Sequence, residues 1–240
     1  MGMRGKTPGK LFDLRELSHR VAVFRDRASA GKVLAGMLEA YRDSKALILA
    51  IPAGGVAVAA VMAKELNLPI DVAVVSKITL PWNSEAGYGA VAFDGTVVLN
   101  EELLSRLHLS PQEIHEGVRK TKQKVTRRNN LLRGDRPFPD LNRPVILVDD
   151  GLASGFTLRV AIKAIQRAGN KQTLVAVPTA HHESLEMILD EVEAVYCPNV
   201  RGGSSFAVAD AYEYWRDLEE QEVAKILSEF NLPPKAEKSS

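Results

Sequence analysis

The sequence contains a single cysteine, Cys197, among 240 residues. One cysteine cannot form a disulfide within the chain, and by itself it cannot provide a cysteine-rich zinc or iron–sulfur site. The composition therefore excludes a small secreted scaffold held together by disulfides. A reducing, cytoplasmic compartment is the predicted location.

A long uninterrupted apolar segment and an excess of charge of one sign are also absent. The longest apolar run, 46–63, is broken by Pro52, Gly54 and Gly55, whereas a membrane-spanning helix needs about 20 consecutive apolar residues. Lys and Arg number 31 against 30 Asp and Glu, which gives a formal net charge of +1. We therefore expect no membrane partner, and the chain lacks the basic excess of a general nucleic-acid binder.

Short apolar runs that alternate with segments of helical periodicity are present instead. The predicted strands are 46–51, 72–76, 145–148, 174–177 and 192–196. The predicted helices are 26–41, 56–66, 111–132, 157–168, 183–190 and 220–230. Strands that are apolar throughout and alternate with helices are typical of a mainly parallel sheet covered on both faces. The pattern predicts a doubly wound α/β fold.

The predicted domain organisation is one domain with two appended ends. Residues 1–20 are polar without clear periodicity and are predicted to form an N-terminal extension. Residues 21–232 form the predicted domain, and 233–240 a flexible tail. Within the domain, 79–99 interrupts the alternation of strands and helices with glycine- and asparagine-rich sequence. We expect this segment to be a flexible loop that runs into a hairpin, and to act as a flap over the functional site.

The residues after the predicted strand 145–148 indicate anion binding. Asp149 and Asp150 lead into the turn Gly-Leu-Ala-Ser-Gly-Phe-Thr, which ends at Thr157 and opens a helix. Backbone amides in such a turn, with a helix N-terminus behind them, form a cradle for phosphate. The two carboxylates are suited to sugar hydroxyls or to Mg²⁺. The alternative is an acidic pair that only ends a strand and caps a helix.

A second turn of the same kind follows the strand 46–51. Gly54 and Gly55 open the next predicted helix, and glycine allows backbone amides to approach an anion closely. A plain turn between a strand and a helix is the alternative there.

The segment from Asp149 to Thr157 resembles the phosphoribosyl-pyrophosphate (PRPP) loop of type I phosphoribosyltransferases. The resemblance covers most of 21–230 and includes, in the same order as in the family, Phe24–Arg27, the Pro52–Gly55 loop and the Pro81–Asn83 loop. It implies a doubly wound domain with a small hood and flap. It also implies Mg²⁺-dependent transfer of the 5-phosphoribosyl group from PRPP to a nitrogenous base, with release of pyrophosphate.

The resemblance assigns roles by position. Asp149 and Asp150 would bind the ribose hydroxyls and hold Mg²⁺ directly or indirectly. The 5′-phosphate would lie on Ala153, Ser154, Gly155, Phe156 and Thr157. The pyrophosphate would lie on Ala53, Gly54 and Gly55. Lys77 would contact the pyrophosphate, which makes Asp149, Asp150 and Lys77 the expected catalytic residues.

Three positions depart from the family's pattern. Relatives often carry arginine where this chain has Ala53, a small residue in place of Phe156 and, in some purine enzymes, an acidic general base in place of Ala153. Two alternative functions therefore stay open, a non-catalytic PRPP- or nucleotide-binding regulator and a metal-dependent phosphate-ester hydrolase. The acceptor is a small base or nucleotide that the sequence does not identify, and a homodimer is compatible with the resemblance.

Overall fold

The computed structural model describes residues 9–203 and 205–230. Its strands are β1 (Lys10–Phe12), β2 (Leu47–Ala50), β3 (Ile70–Val72), β4 (Val75–Leu80), β5 (Asn83–Ala92), β6 (Val97–Leu99), β7 (Val145–Val148), β8 (Thr173–Ala176), β9 (Thr179–His181), β10 (Ala194–Tyr196) and β11 (Asn199–Arg201). Its α-helices are α1 (Arg27–Met37), α2 (Gly54–Leu66), α3 (Glu101–Arg106), α4 (Pro111–Arg133), α5 (Phe156–Arg167), α6 (His182–Leu189) and α7 (Glu220–Ser228).

The central sheet has six parallel strands in the order β1–β10–β8–β7–β2–β3. Alternate residues of each central strand face opposite cores. In β2, Ile48 and Ala50 pack with α1, α2, α4 and α7. Leu47 and Leu49 pack on the other face with α5 and α6. The predicted doubly wound α/β fold is confirmed.

Two smaller sheets lie beside the central one. Strands β4, β5 and β6 form an antiparallel sheet, and β9 pairs with β11 in a two-stranded parallel sheet. None of the helices in the described ranges is both long and apolar enough to cross a bilayer.

The predicted strand 72–76 is divided between β3 and β4. The amide of Ala73 still donates to the carbonyl of Ala50 at 2.9 Å, after which the chain leaves the central sheet. The sequence did not separate the two strands because the residues at their junction, 72–75, are all apolar.

The segment 79–93, expected to be a loop before a hairpin, is mostly strand. It contains the end of β4 and all of β5. A side-chain carbon at Gly89 would lie 2.8 Å from the carbonyl oxygen of Val98, so glycine is required here by close strand packing rather than by a turn.

Part of the predicted N-terminal extension belongs to the sheet. Strand β1 pairs with β10 from Lys10 to Phe12 and forms one edge. The division into extension, domain and tail stays a prediction, and the predicted tail lies outside the described residues.

Candidate active site

The loop between β7 and α5 is held at the carboxyl edge of the central sheet. The amide of Leu152 donates to the Thr179 carbonyl at 2.9 Å, and the amide of His181 donates to the Leu152 carbonyl at 2.9 Å. Gly155 precedes the helix with a φ of 71°, a left-handed conformation that favours glycine. These contacts fix the loop against β9 and direct its turn toward the start of α5.

Five consecutive amides of this loop are available to a ligand. Within the described parts of the chain, the N–H groups of 153–157 donate no hydrogen bond to a protein acceptor. No side chain caps the N-terminus of α5. Unpaired amides at a helix N-terminus carry partial positive charge, so this turn can hold a phosphate group.

The turn before α2 has the same character and lies against the first loop. No side chain caps α2, whose N-cap residue is Ala53, and the Pro52–Ala53 peptide bond is cis. A side-chain carbon at Gly54 would overlap Oδ2 of Asp150, and one at Gly55 would lie 2.7 Å from the carbonyl oxygen of Val148. The two glycines therefore bring the two predicted anion-binding turns into direct contact.

The acidic pair lies where these turns meet. Oδ2 of Asp150 accepts a hydrogen bond from Arg27 Nε at 2.8 Å, and Oδ1 of Asp149 accepts one from the amide of Asp150 at 2.9 Å. Burial, reinforced by the neighbouring charge of Asp150, raises the pKa of Asp149 well above its usual range. The fold thus holds one carboxylate in an ion pair and the other in an environment that disfavours its charge.

Arg27 is a site residue to which the sequence analysis gave no role. It is the first residue of α1, and its Nη1 donates to the Arg216 carbonyl at 2.8 Å. Its guanidinium lies 3.8 Å from the centroid of the Trp215 ring. The Phe24–Arg27 motif was the only sign of this residue in the sequence, and the motif does not indicate which distant residues it contacts.

A C-terminal segment, 206–216, packs beside the acidic pair as a hood. The Tyr212 hydroxyl donates to the Asp150 carbonyl at 2.6 Å, and Val208 fills the space that a side chain at Gly151 would occupy. Burial raises the pKa of Tyr212, so the hydroxyl stays protonated and remains a donor. The hood therefore holds the backbone of the loop at Asp150 and Gly151.

The exposed side chain of Lys77 lines a cavity of about 770 Å³ between β5 and the start of α5. Ser154, Phe156 and Thr157 line the same cavity. Phe156 also packs against the core on the α5 face of the sheet. Two further cationic residues line the cavity and were not singled out in the sequence, Arg159 and Lys163. The structure thus brings Lys77 to the turn predicted for the 5′-phosphate, whereas none of the residues 53–55, predicted for the pyrophosphate, lines this cavity.

Comparisons with known proteins show what the chain is similar to. No family model matches the chain. Over 206 residues, 85% of its length, the chain is 31% identical to proteins named "Putative phosphoribosyl transferase" from two strains of Mycobacterium tuberculosis. It spans about half, 46%, of the length of these relatives.

A solved structure covers nearly the same part of the chain. The crystal structure of TT1426 from Thermus thermophilus superposes with a TM-score of 0.69 at 31% identity, covering 86% of this chain and 98% of that one. The similarity therefore extends over nearly the whole of that solved chain. The chain belongs to the type I phosphoribosyltransferase family.

Proposed function

We propose that this protein transfers the 5-phosphoribosyl group of PRPP to a nitrogenous base and releases pyrophosphate. The observation that carries the proposal is the meeting of two amide-lined turns at one carboxylate pair. PRPP has the matching arrangement of groups, because a 5′-phosphate and a pyrophosphate flank a ribose with two free hydroxyls.

In the proposed complex each turn binds one end of PRPP. The amides of 153–157 hold the 5′-phosphate, with the hydroxyls of Ser154 and Thr157 as further donors. The carboxylates of Asp149 and Asp150 accept hydrogen bonds from the ribose hydroxyls. The pyrophosphate lies on the second turn, at 53–55, and Lys77 contacts it from β4.

The site catalyses the transfer by position and charge. The bond from C1′ to the pyrophosphate oxygen breaks while a nitrogen of the acceptor bonds to C1′, and negative charge builds up on the leaving group. Fixed amides, helix N-termini and Lys77 stabilise that charge without reorganising. Ala153 has no titratable side chain, so the acceptor's proton leaves to a group other than the residue at this position.

The acidic pair fits Mg²⁺. Only two of its four carboxylate oxygens accept hydrogen bonds from described protein donors, Arg27 Nε and the Asp150 amide. Mg²⁺ binds through one or two carboxylates together with water and phosphate oxygens. Asp149 and Asp150 would hold the ion, and when bound it neutralises charge on the pyrophosphate.

The proposal is tested by pyrophosphate release from PRPP and Mg²⁺ with a panel of nucleobases. We expect release with at least one base, and its loss when Asp149→Asn and Asp150→Asn are combined. Asp190→Asn, at an exposed acid that ends α6, is the matched control and should keep full activity. Full activity in the double variant would place the reaction elsewhere.

The same assay separates the alternatives. PRPP binding without pyrophosphate release from any base would favour a regulatory binding protein. Release of inorganic phosphate from phosphate esters would favour a hydrolase.

The location that we propose is the cytoplasm, in keeping with a single cysteine, Cys197, that is buried and free.

A further inference from the structure

We propose that Arg27 is the cation that binds the pyrophosphate of PRPP beside the turn 53–55. The inference rests on the proposed function and adds a residue to it. Pyrophosphate carries several negative charges, and in this site it would lie next to the carboxylates of Asp149 and Asp150. Backbone amides provide only partial charges against that repulsion, so a full positive charge at this place would have a large effect.

The geometry places Arg27 at the pyrophosphate turn. A side-chain carbon at Gly54 would lie 3.0 Å from Arg27 Nε, so the guanidinium lies directly against the backbone of that turn. The same Nε is 2.8 Å from Asp150 Oδ2. Arg27 therefore contacts both the turn predicted for pyrophosphate and the carboxylate predicted for ribose.

The guanidinium is held rigidly. Its side chain is only 10% exposed, Trp215 lies over it at 3.8 Å, and Nη1 donates to the Arg216 carbonyl. A cation that is fixed before the ligand arrives loses little entropy on binding and keeps its full electrostatic effect. An arginine that only balanced Asp150 would not need three separate restraints.

Arg27 also has donors left for a ligand. Arginine carries five N–H donors in one plane. In the described ranges, Nε donates to Asp150 and Nη1 to Arg216, while Nη2 donates no hydrogen bond to the protein. The guanidinium can therefore keep its ion pair and still donate to phosphate oxygens, a pairing for which its geometry is well suited.

Calorimetric titration with three ligands in the presence of Mg²⁺ tests the proposal. The ligands are PRPP, pyrophosphate alone and ribose 5-phosphate, which has the ribose and the 5′-phosphate without the pyrophosphate. We expect Arg27→Gln to weaken PRPP and pyrophosphate by about ten- to a hundredfold, the range for a hydrogen bond to a charged group. Ribose 5-phosphate should change less than threefold.

Two further variants control for charge and for position, and a third is used if Arg27→Gln does not fold. Arg27→Lys keeps the charge but not the planar fork of donors, and it should recover part of the pyrophosphate affinity that Arg27→Gln loses. Arg25→Gln removes an arginine two residues away whose side chain is 75% exposed, and it should bind all three ligands as the unmodified protein does. If Arg27→Gln does not fold, Trp215→Leu removes the ring that orients the guanidinium and should weaken pyrophosphate several-fold.

The outcomes separate this inference from the proposed function. Equal loss of PRPP and ribose 5-phosphate, with pyrophosphate unchanged, would show that Arg27 acts only through Asp150 and would overturn the inference. Unchanged pyrophosphate binding in both Arg27→Gln and Trp215→Leu would also overturn it. Failure of the unmodified protein to bind PRPP would instead overturn the proposed function.

Discussion

Asp150 contacts three parts of the chain that are far apart in sequence. Its carboxylate pairs with Arg27, its carbonyl accepts from Tyr212, and its Oδ2 occupies the space that a side chain at Gly54 would need. Two of these contacts involve Oδ2 and the third involves the backbone carbonyl, so both the side chain and the backbone of Asp150 are restricted. Substitutions around Asp150 should therefore affect ligand binding through small displacements as well as through lost charge.

Gly54→Ala should damage the site without adding or removing charge. The new methyl group overlaps Asp150 Oδ2, so the carboxylate must rotate away from Arg27. We expect PRPP affinity to fall at least tenfold and the free energy of unfolding to fall by about 1–3 kcal/mol, which is typical of overpacking.

Gly36→Ala is the matched control for this change. A side chain at Gly36, within α1, meets nothing within 4 Å. Alanine there should leave PRPP binding unchanged and raise the free energy of unfolding by about 0.5–1 kcal/mol. PRPP titration and urea unfolding measure both variants, and equal behaviour of the two would contradict the close approach at Gly54.

Lys77→Ala should weaken PRPP and pyrophosphate by about ten- to a hundredfold. Nucleoside monophosphates should bind nearly as before, because they lack pyrophosphate. Lys77 is exposed, so folding should be unaffected, and the exposed Lys171→Ala is the control. Equal weakening of both ligand classes in titrations would place Lys77 at the 5′-phosphate, since Ser154 and Thr157 line the same cavity.

The parts of the candidate site that the sequence singled out are all local ones. The acidic pair and the turns 53–55 and 153–157 are runs of neighbouring residues, so their spacing is visible in the chain. Arg27 and Tyr212 were not predicted as partners of Asp150 because they are 123 and 62 residues from it. Periodicity contains no information about side-chain pairs at such separations.

At the scale of elements, β4 and β5 form a hairpin whose turn bears an exposed aromatic residue. Trp82 is 64% exposed at the turn. The register of β4 with β5 shifts between Ile78 and Thr79 and again between Thr79 and Leu80, which weakens pairing toward the turn. The outer part of the hairpin can therefore open more easily than its base.

Limited digestion with chymotrypsin tests whether the hairpin closes over the ligand. Cleavage after Trp82 should be rapid in the free protein and several-fold slower with PRPP and Mg²⁺, since a closed flap excludes both water and protease. Phe12, which is 42% exposed on β1, is an internal reference whose cleavage should not change. Equal cleavage after Trp82 in both states would leave the hairpin as an ordinary surface element.

Short elements were the ones that the sequence did not reveal. Strands β9 and β11 have three residues each and form a separate two-stranded sheet. β9 also anchors the loop that follows β7, through the bridge between Ala180 and Leu152. Three residues are too few to show a period of two. The long helices α2, α4 and α5 were predicted to within about two residues, because their periodic patterns extend over several turns.

At the scale of the whole molecule, the fold places the N-termini of α2 and α5 and two carboxylates at one edge of the sheet. This arrangement suits an anionic ligand that carries a metal ion. In the free protein, without ligand and metal, the adjacent carboxylates are less stable. Burial and Asp150 raise the pKa of Asp149, so the ionised form of Asp149 is less stable in the folded protein than in the unfolded chain. The carboxylate of Asp149 is therefore expected to favour ligand binding while lowering the free energy of unfolding of the free protein.

Asp149→Asn should raise the melting temperature of the free protein at neutral pH. The raised pKa means that the folded state binds the Asp149 proton more tightly than the unfolded chain does. The free energy of unfolding of the original protein therefore falls as pH rises from the unfolded pKa through the folded one. The free energy of unfolding of the variant does not fall in this way. Each kcal/mol by which it exceeds that of the original protein should raise the melting temperature by about 2–4 °C.

Calorimetric scans across pH, with and without PRPP and Mg²⁺, check this expectation. The increase in melting temperature caused by PRPP should be much smaller in the variant, because ligand stabilisation follows affinity. Asp190→Asn should match the original protein in both respects. A lower melting temperature for free Asp149→Asn would mean that the carboxylate stabilises the fold.

The large sequence separation between Arg27 and its hydrogen-bond acceptors has a consequence for synthesis of the protein. Its acceptors lie 123 and 189 residues further along the chain, and β1 pairs with residues near 195. At translation speeds of about 5–20 residues per second, Arg27 is synthesised about 10–40 s before Arg216. During that interval the nascent chain has neither the β1–β10 edge of the sheet nor the Trp215 ring over Arg27, so ligand binding begins only after Arg216 has been synthesised.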